Sequence, residues 1–244
     1  MKSFAGIILA AGKGRRLGSF HGNKVLAPFR GKPLIVYALN LLQKQHIPSY
    51  VVVGYGKEKV ISVLGKQSVY VDQNEQLGTG HAVLCALAKI PARITDIIVL
   101  MGDHSFSLSN SLLTRLIQKH VNANSDITIL TVITKNINGY GLVLREGKDN
   151  IVRIMDGKHI LTPLVVTQGE ITPGVYCFKT SFLKEYLKLL PKHEKSQEYY
   201  LSDLIGLAHE KGKKISSIVL RDEKLAVGIN TLEDLKKAEL LIYG

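Results

Sequence analysis

Two rhythms alternate along the first half of the chain. Apolar runs of strand length, Phe4–Leu9, Tyr50–Val53, Ser68–Val71 and Ile97–Met101, are each followed by a stretch whose apolar residues recur at helical spacing, Leu34–Leu42, Glu58–Leu64, Gly80–Ala88 and Ser109–Val121. A strand that is apolar at nearly every position has no face to give to water, so these runs predict a parallel sheet covered by helices on both sides. After Asp126 the rhythm changes. Ile127–Ile133, Gly141–Leu144, Ile151–Met155 and Gly174–Phe178 succeed one another with turn residues between them, which predicts a β-rich half. Helical spacing returns at Ser181–Leu190, Leu201–Lys211 and Thr231–Ile242, the last opened by a Thr cap ahead of Leu232-Glu233-Asp234. The expected fold class is α/β: a Rossmann-like, mostly parallel mixed sheet with helices on both faces. A single domain is expected, made of a first half (1–125), a β-rich half (126–230) and a C-terminal helix (231–244).

Composition narrows the setting. The chain has 244 residues, 45% hydrophobic and 21% charged, which suits one ordinary globular domain. No apolar stretch approaches the ~18–20 residues of a membrane helix, and the apolar N-terminal run ends at Gly12 before a Gly/Lys/Arg loop, unlike a secretory leader. A cytoplasmic protein with no membrane partner is expected. Cys85 and Cys177 each sit in an apolar run and are read as buried thiols, not as a disulfide or metal site.

The net charge of +12 is concentrated near the start: residues 1–57 hold nine Lys and Arg and no Asp or Glu. Such a region attracts polyanions. The basic residues are scattered among strand and turn positions, without an Arg-rich tract or a nucleic-acid motif, so the expected ligand is a small phosphorylated molecule and no nucleic-acid partner is expected. The loop after the first strand, Ala10-Ala11-Gly12-Lys13-Gly14-Arg15-Arg16-Leu17-Gly18, supplies small residues that let backbone N–H groups approach phosphate, together with cations to neutralise it. It is not a Walker A loop, since no Gly-Lys-Ser/Thr follows at the required spacing. It also misses the dinucleotide fingerprint, because its third Gly comes one residue late and no carboxylate follows to hold a ribose.

These residues, with Asn23-Lys24-Val25-Leu26-Ala27-Pro28 and Gly31-Lys32-Pro33-Leu34, resemble the signature of the sugar-1-phosphate nucleotidyltransferases, above all the pyrophosphorylase half of bacterial N-acetylglucosamine-1-phosphate uridylyltransferases. Further stretches agree in order: Gln73 to Ala82, Gly102-Asp103, Gly139-Tyr140-Gly141, Glu198 to Asp203, and Val227 to Asn230. The resemblance spans roughly Phe4 to Glu239. It implies Mg²⁺-dependent transfer of a nucleotidyl group from a nucleoside triphosphate, UTP favoured, to a sugar-1-phosphate, GlcNAc-1-phosphate favoured, with release of pyrophosphate. It makes 1–125 the nucleotide-binding half and 126–230 the sugar-binding half. Alternatives within the class are dTTP, CTP or GTP and glucose-1-phosphate or another hexose phosphate; outside it stands a non-catalytic nucleotide-sugar-binding protein.

The resemblance also implies site residues. Leu9, Ala10, Ala11, Gly12, Gly14, Lys24, Gln73, Gly78 and Thr79 would bind the nucleotide, Gln73 reading the base because an amide offers both a donor and an acceptor. Arg16 would bind the outgoing β- and γ-phosphates, Lys24 the α-phosphate, and Asp103 with Asn230 the Mg²⁺, an ion that prefers hard oxygen ligands. Gly141, Asp156, Thr172, Glu198, Tyr200 and Ser202 would contact the sugar. Here the sequence departs from the family: Asp156 stands where a Glu is usual, Thr172 for an Asn, Ser202 for a Thr, and His104-Ser105 for Val-Pro, so sugar recognition must differ in detail. His81, in the Gly-Thr-Gly-His opening of a helix, is read as a capping or packing residue. Neither it nor His104 is needed as a base, because a sugar phosphate, with a second pKa near ~6, is already anionic. No hexapeptide repeats of a left-handed β-helix occur, so no acetyltransferase half is expected; the oligomeric state is left open.

Overall fold

A computed structural model of the chain describes residues 2–13, 22–135, 137, 139–147, 149–156, 168–229 and 231–243, without the side chains of 156, 232, 242 and 243. Its first strand, β1 (Phe4–Ala10), shows why the N-terminal run is apolar throughout. Ala5, Ile7 and Leu9 pack into one hydrophobic cluster, while Ile8 and Ala10 pack into a second on the opposite face. Tyr50 and Val52 of β4 (Ser49–Val53), and Ile97 and Val99 of β6 (Asp96–Met101), join the first cluster; Val51, Val53, Ile98 and Leu100 join the second.

Between β1 and β4 lie a two-stranded hairpin, β2 (Pro28–Phe29) with β3 (Lys32–Pro33), and α1 (Leu34–Lys44). Next come α2 (Lys57–Leu64), β5 (Val69–Asp72), α3 (Thr79–Leu87) and α4 (Asn110–Asn122), the last two flanking β6. The β-rich half contributes β7 (Ile127–Thr134), β8 (Gly141–Glu146), β9 (Asn150–Asp156), β10 (Gly169–Thr172) and β11 (Tyr176–Lys179). Then follow α5 (Thr180–Tyr186), α6 (Asp203–Glu210), β12 (Ile215–Leu220) and α7 (Leu232–Tyr243). α1, α2 and α4 cover one face of the sheet, while α3, α5 and α6 cover the other. Thr231 and Asp234 cap α7 reciprocally, Thr231 N donating to Asp234 Oδ2 (2.9 Å) and Asp234 N to Thr231 Oγ1 (3.1 Å).

The sheet runs β5-β4-β1-β6-β11-β7-β10-β8-β9, with β12 on the other edge of β7. Its first four strands are parallel, β12 pairs parallel with β7, and the remaining pairs are antiparallel. From β1 the chain adds β4 on one side and later β6 on the other. The order therefore reverses between β1 and β6, the place where open α/β sheets form a ligand crevice at the strands' carboxyl ends. β10 and β11 form one line along β7, broken at Thr172-Pro173-Gly174; across the break the line's second partner changes from β8 to β6. Gly174 takes a left-handed φ of +80°, and its N–H bonds Thr172 Oγ1 at 3.2 Å.

A third, smaller cluster fixes the C-terminal segment. Ile229 and Ala238 pack with Ala27, Phe29, Leu34 and Phe106, so the residues just after Lys24 and those just before Asn230 share one buried contact. At the sheet's opposite, amino end, the fully buried Asp96 receives bonds from Thr95 Oγ1 (2.6 Å) and Lys2 Nζ (3.2 Å) and pairs with His120 Nε2 (3.1 Å), whose Nδ1 meets Thr128 Oγ1 at 2.9 Å. Burial alone would raise the Asp96 pKa, but the bonds from His120, Thr95 and Lys2 outweigh it and hold the carboxyl below its ordinary value.

Because removing one partner leaves the others buried and unpaired, Asp96→Ala is expected to cost about 3–5 kcal/mol in urea unfolding. A depressed folded pKa contributes stability above the unfolded value of about 4, lost as pH falls through the folded one. The wild type should therefore lose stability below about pH 4 more steeply than Asp96→Asn. Equal slopes would show that the Asp96 carboxyl is not held below its ordinary pKa in the folded protein.

Candidate active site

The cleft starts from the carboxyl ends of β1, β4, β5 and β6. At the end of β1, Ala10 and the following Ala11 are buried and Gly12 is exposed. Gly54, just past β4, comes so close that an added Cβ would lie 3.0 Å from the Ala11 carbonyl, which accepts from Tyr55 N at 3.2 Å. Gly102 does the same from β6: its N–H donates to Leu9 O at 3.1 Å, and a Cβ there would stand 2.8 Å from that oxygen. These close approaches bring Asp103 beside the turn that follows β1.

Lys24 reaches the same place by another route. Asn23, 1% exposed, donates from Nδ2 to Ala10 O (2.6 Å) and Tyr55 O (2.8 Å), and its Oδ1 accepts from Val25 N (3.2 Å), capping the 3-10 turn Lys24–Leu26. One side chain thus ties the Lys24 turn to the ends of β1 and β4. Lys24 Nζ lies 2.6 Å from Asp103 Oδ2, with the two side chains 13% and 18% exposed. Burial pushes the Asp103 pKa up, but the Lys24 ammonium, together with His104 and a bond from the Asp103 backbone, outweighs it and the carboxyl stays below its ordinary value.

Leu9, Ala10, Ala11, Gly12, Lys24, Gln73, Gly78, Thr79 and Asp103 line one cleft of about 220 Å³, together with Asn23, Val25, Gln76, Met101 and Glu198. Every nucleotide-binding residue expected from the sequence lies on this wall except Gly14, which is outside the described residues, as are Arg16 and Asn230. A second cleft of about 180 Å³ adjoins it, sharing Thr79 and Met101, and is lined by Gly141, Thr172, Tyr200 and Ser202 with His104, Tyr140, Pro173, Gly174 and Tyr176. Glu198, expected on the sugar side, instead lines the first cleft. Asp156 ends β9 opposite Gly141, and its side chain is outside the described residues.

The segment around Glu198 is strapped across the boundary of the two clefts. Tyr199 N donates to Leu77 O (2.8 Å), Gly80 N to Tyr199 O (2.8 Å) and Leu201 N to Thr79 Oγ1 (2.9 Å). Gly78, at φ +93°, has no room for a side chain, since a Cβ would meet Tyr199 O at 2.6 Å. Thr172 is less free than its position suggests, because its hydroxyl accepts from Gly174 N and is hydrogen-bonded to Tyr176. Burial, only partly offset by that bond, pushes the Tyr176 phenol up to about 12, so it stays protonated as a neutral wall group.

His104 follows Asp103 into the second cleft. Burial, reinforced by Lys24, outweighs Asp103 and a bond to the Pro173 backbone and lowers its pKa, so the imidazole is neutral at neutral pH. Its Nε2 and the Tyr140 hydroxyl are buried without a hydrogen-bond partner among the described residues, and both face Gly228. A Cβ on Gly228 would lie 2.7 Å from Tyr140 Oη and 2.9 Å from His104 Nε2, so the approach to Asn230 runs tightly past the residue after Asp103. Sequence reasoning gave no role to Asn23, Met101 or Tyr176. Only Asn23 carried a signal, as a helix-capping residue type immediately before the basic turn residue.

The donors available to an ion suit Mg²⁺. Among the described residues no three His, Cys, Asp or Glu side chains cluster around one point. Asp103 and Glu198 are the carboxylates on the wall of the first cleft among the described residues, and Mg²⁺ is typically held by one or two carboxylates with phosphate oxygens and water completing the shell. No helix among the described residues is long and apolar enough to cross a membrane.

The family model of the MobA-like NTP transferase domain matches residues 6–198. The bifunctional protein GlmU of Carboxydothermus hydrogenoformans is 38% identical over 240 residues, 98% of this chain and 52% of its own length. That of Desulfitobacterium hafniense strain Y51 is 36% identical over 240 residues, again 98% of this chain and 52% of its own. The chain thus spans about half the length of these curated relatives. A Bacillus anthracis structure assigned as a glucose-1-phosphate thymidylyltransferase and solved with a sucrose shares the fold, with a TM-score of 0.79 at 19% identity, covering 98% of this chain and 95% of that one. The chain belongs to the MobA-like NTP transferase domain family, and its class of chemistry is that of a nucleotidyltransferase.

Proposed function

We propose that the protein transfers a nucleotidyl group from a nucleoside triphosphate, UTP favoured, to a sugar-1-phosphate, GlcNAc-1-phosphate favoured, and releases pyrophosphate. The observation that carries this reading is the Lys24–Asp103 pair, 2.6 Å apart at the crevice between β1 and β6, beside two adjoining clefts. In the first cleft Gln73 and the Gly78 turn face the base, and the turn after β1 holds the triphosphate. In the second, Gly141, Thr172, Tyr200 and Ser202, with Asp156, surround the sugar.

An oxygen of the sugar phosphate attacks the α-phosphorus in line; the bond from that phosphorus to the bridging oxygen breaks, and pyrophosphate carries away the electron pair. No proton need be removed, since the nucleophile is already an anion, and the neutral His104 is not required as a base. Lys24 turns from Asp103 to the α-phosphate, where its ammonium neutralises charge gathering in the transition state. Arg16 draws on the outgoing phosphates. A Mg²⁺ held by Asp103 and Asn230 would screen the phosphate oxygens from one another and from the incoming anion.

Pyrophosphate release measured for UTP, dTTP, CTP and GTP against GlcNAc-1-phosphate, glucose-1-phosphate, glucosamine-1-phosphate and mannose-1-phosphate should peak at UTP with GlcNAc-1-phosphate and vanish on chelation of divalent metal. Silence across the whole panel contradicts the reading. Lys24→Ala and Asp103→Ala should each lower turnover by about 10²–10³ or more while leaving the fold intact by circular dichroism. Near-normal turnover in either variant removes that residue from the mechanism.

A further inference from the structure

The base end of the first cleft contains a hydrogen-bonded chain that runs from Gln73 to His81 and Cys85, and the mechanism gives those last two residues no task. Gln73 follows β5, its N–H on Val53 O at 2.8 Å, with the residue only 4% exposed. Its side-chain Nε2 lies 3.0 Å from the Gly78 carbonyl and 3.1 Å from His81 Nδ1. A carbonyl only accepts, so the amide atom facing Gly78 must be the nitrogen; the orientation of this amide follows from chemistry. One hydrogen goes to Gly78, and the other points at His81 Nδ1, which must present a lone pair to receive it. The His81 proton then resides on Nε2, and 3.7 Å beyond it is Cys85 Sγ, one turn along α3. Cys85 is half-buried, and burial raises its thiol above the ordinary value, leaving a neutral sulfur as a weak acceptor for Nε2–H. Both amide hydrogens of Gln73 are therefore committed inside the protein, while Oε1 receives no hydrogen bond among the described residues.

We propose that His81 is a positioning residue that locks the Gln73 amide with its oxygen toward the base, so that the cleft selects a pyrimidine carrying N3–H over cytosine. The proposal rests on the reading of Gln73 as the base-contacting group. Uracil and thymine present N3–H, which Oε1 can accept; cytosine presents a lone pair at N3, which would leave two acceptors facing one another in a buried place. Gln73 left to rotate would serve either base. The lock supplies what the amide lacks alone, and it gives the Gly-Thr-Gly-His opening of α3 a task beyond packing.

The test compares kcat and KM for UTP, dTTP and CTP, at saturating GlcNAc-1-phosphate, in the wild type, Gln73→Ala, His81→Phe and His81→Asn. His81→Phe keeps the ring but removes the acceptor, so the UTP-to-CTP ratio of kcat/KM should fall about tenfold or more, mainly through KM. His81→Asn, whose Oδ1 can stand in for Nδ1, should keep most of the wild-type ratio, and dTTP should track UTP in its response to His81→Phe. An unchanged ratio in His81→Phe, alongside a collapsed ratio in Gln73→Ala, overturns the role of His81 and leaves base reading intact; an unchanged ratio in Gln73→Ala removes the base-reading assignment itself. Side-chain ¹⁵N spectra of the wild-type protein give a check that does not depend on a variant folding: the Nε2–H tautomer of His81 is expected, and the Nδ1–H tautomer overturns the proposal.

Discussion

The ion pair between Lys24 and Asp103 joins two parts of the chain that sequence keeps 79 residues apart, 24 to 103, and it does so at the carboxyl edge of a parallel sheet. Two opposite charges at 2.6 Å, each largely withdrawn from water, have given up much of their hydration and depend on one another. Under the proposed function a triphosphate would offer Lys24 more negative charge than Asp103 does and would free the carboxylate for a cation. In that reading the pair stands where the ligand charges of the proposed reaction would meet.

What holds the pair in place is mostly backbone. Gly102 brings its strand end closer to Leu9 than a side chain would permit, and Gly54 approaches Ala11 so tightly that a side chain would have to push it aside. Asn23 spends its whole amide on Ala10, Tyr55 and Val25, so the turn carrying Lys24 cannot swing without breaking bonds at a residue 1% exposed. The small cluster of Phe29, Phe106 and Ile229 then ties the C-terminal segment to the same corner. Rigid walls at both ends of the pair are what electrostatic catalysis needs, because charges that must reorganise during reaction contribute less.

Much of this was legible in the sequence because strands buried on both faces leave continuous apolar runs, and because α3 and α4 begin and end within a residue or two of their periodic patterns. β12 escaped notice because Ser216-Ser217 interrupts its apolar run, and β10 because four residues that include Gly169 and Glu170 carry no periodic signal. The positions on the cleft wall were readable from the motifs, down to Gln73 and Gly78. Glu198, which the resemblance assigns to the sugar, lines the first cleft because its segment docks on the Gly78–Gly80 turn. Asn23 and His81 show a more general limit. Their partners are backbone carbonyls and an amide brought close only by folding, and local spacing does not encode such bonds.

The most direct measurement is a crystal structure of the protein with UTP and Mg²⁺. The triphosphate is expected in the crevice between β1 and β6, with Lys24 Nζ moved from Asp103 to the α-phosphate and an Asp103 oxygen about 2.0–2.1 Å from the ion. A nucleotide bound elsewhere, or bound there with the Lys24–Asp103 pair intact and the ion remote from both Asp103 and Asn230, would contradict the proposed function.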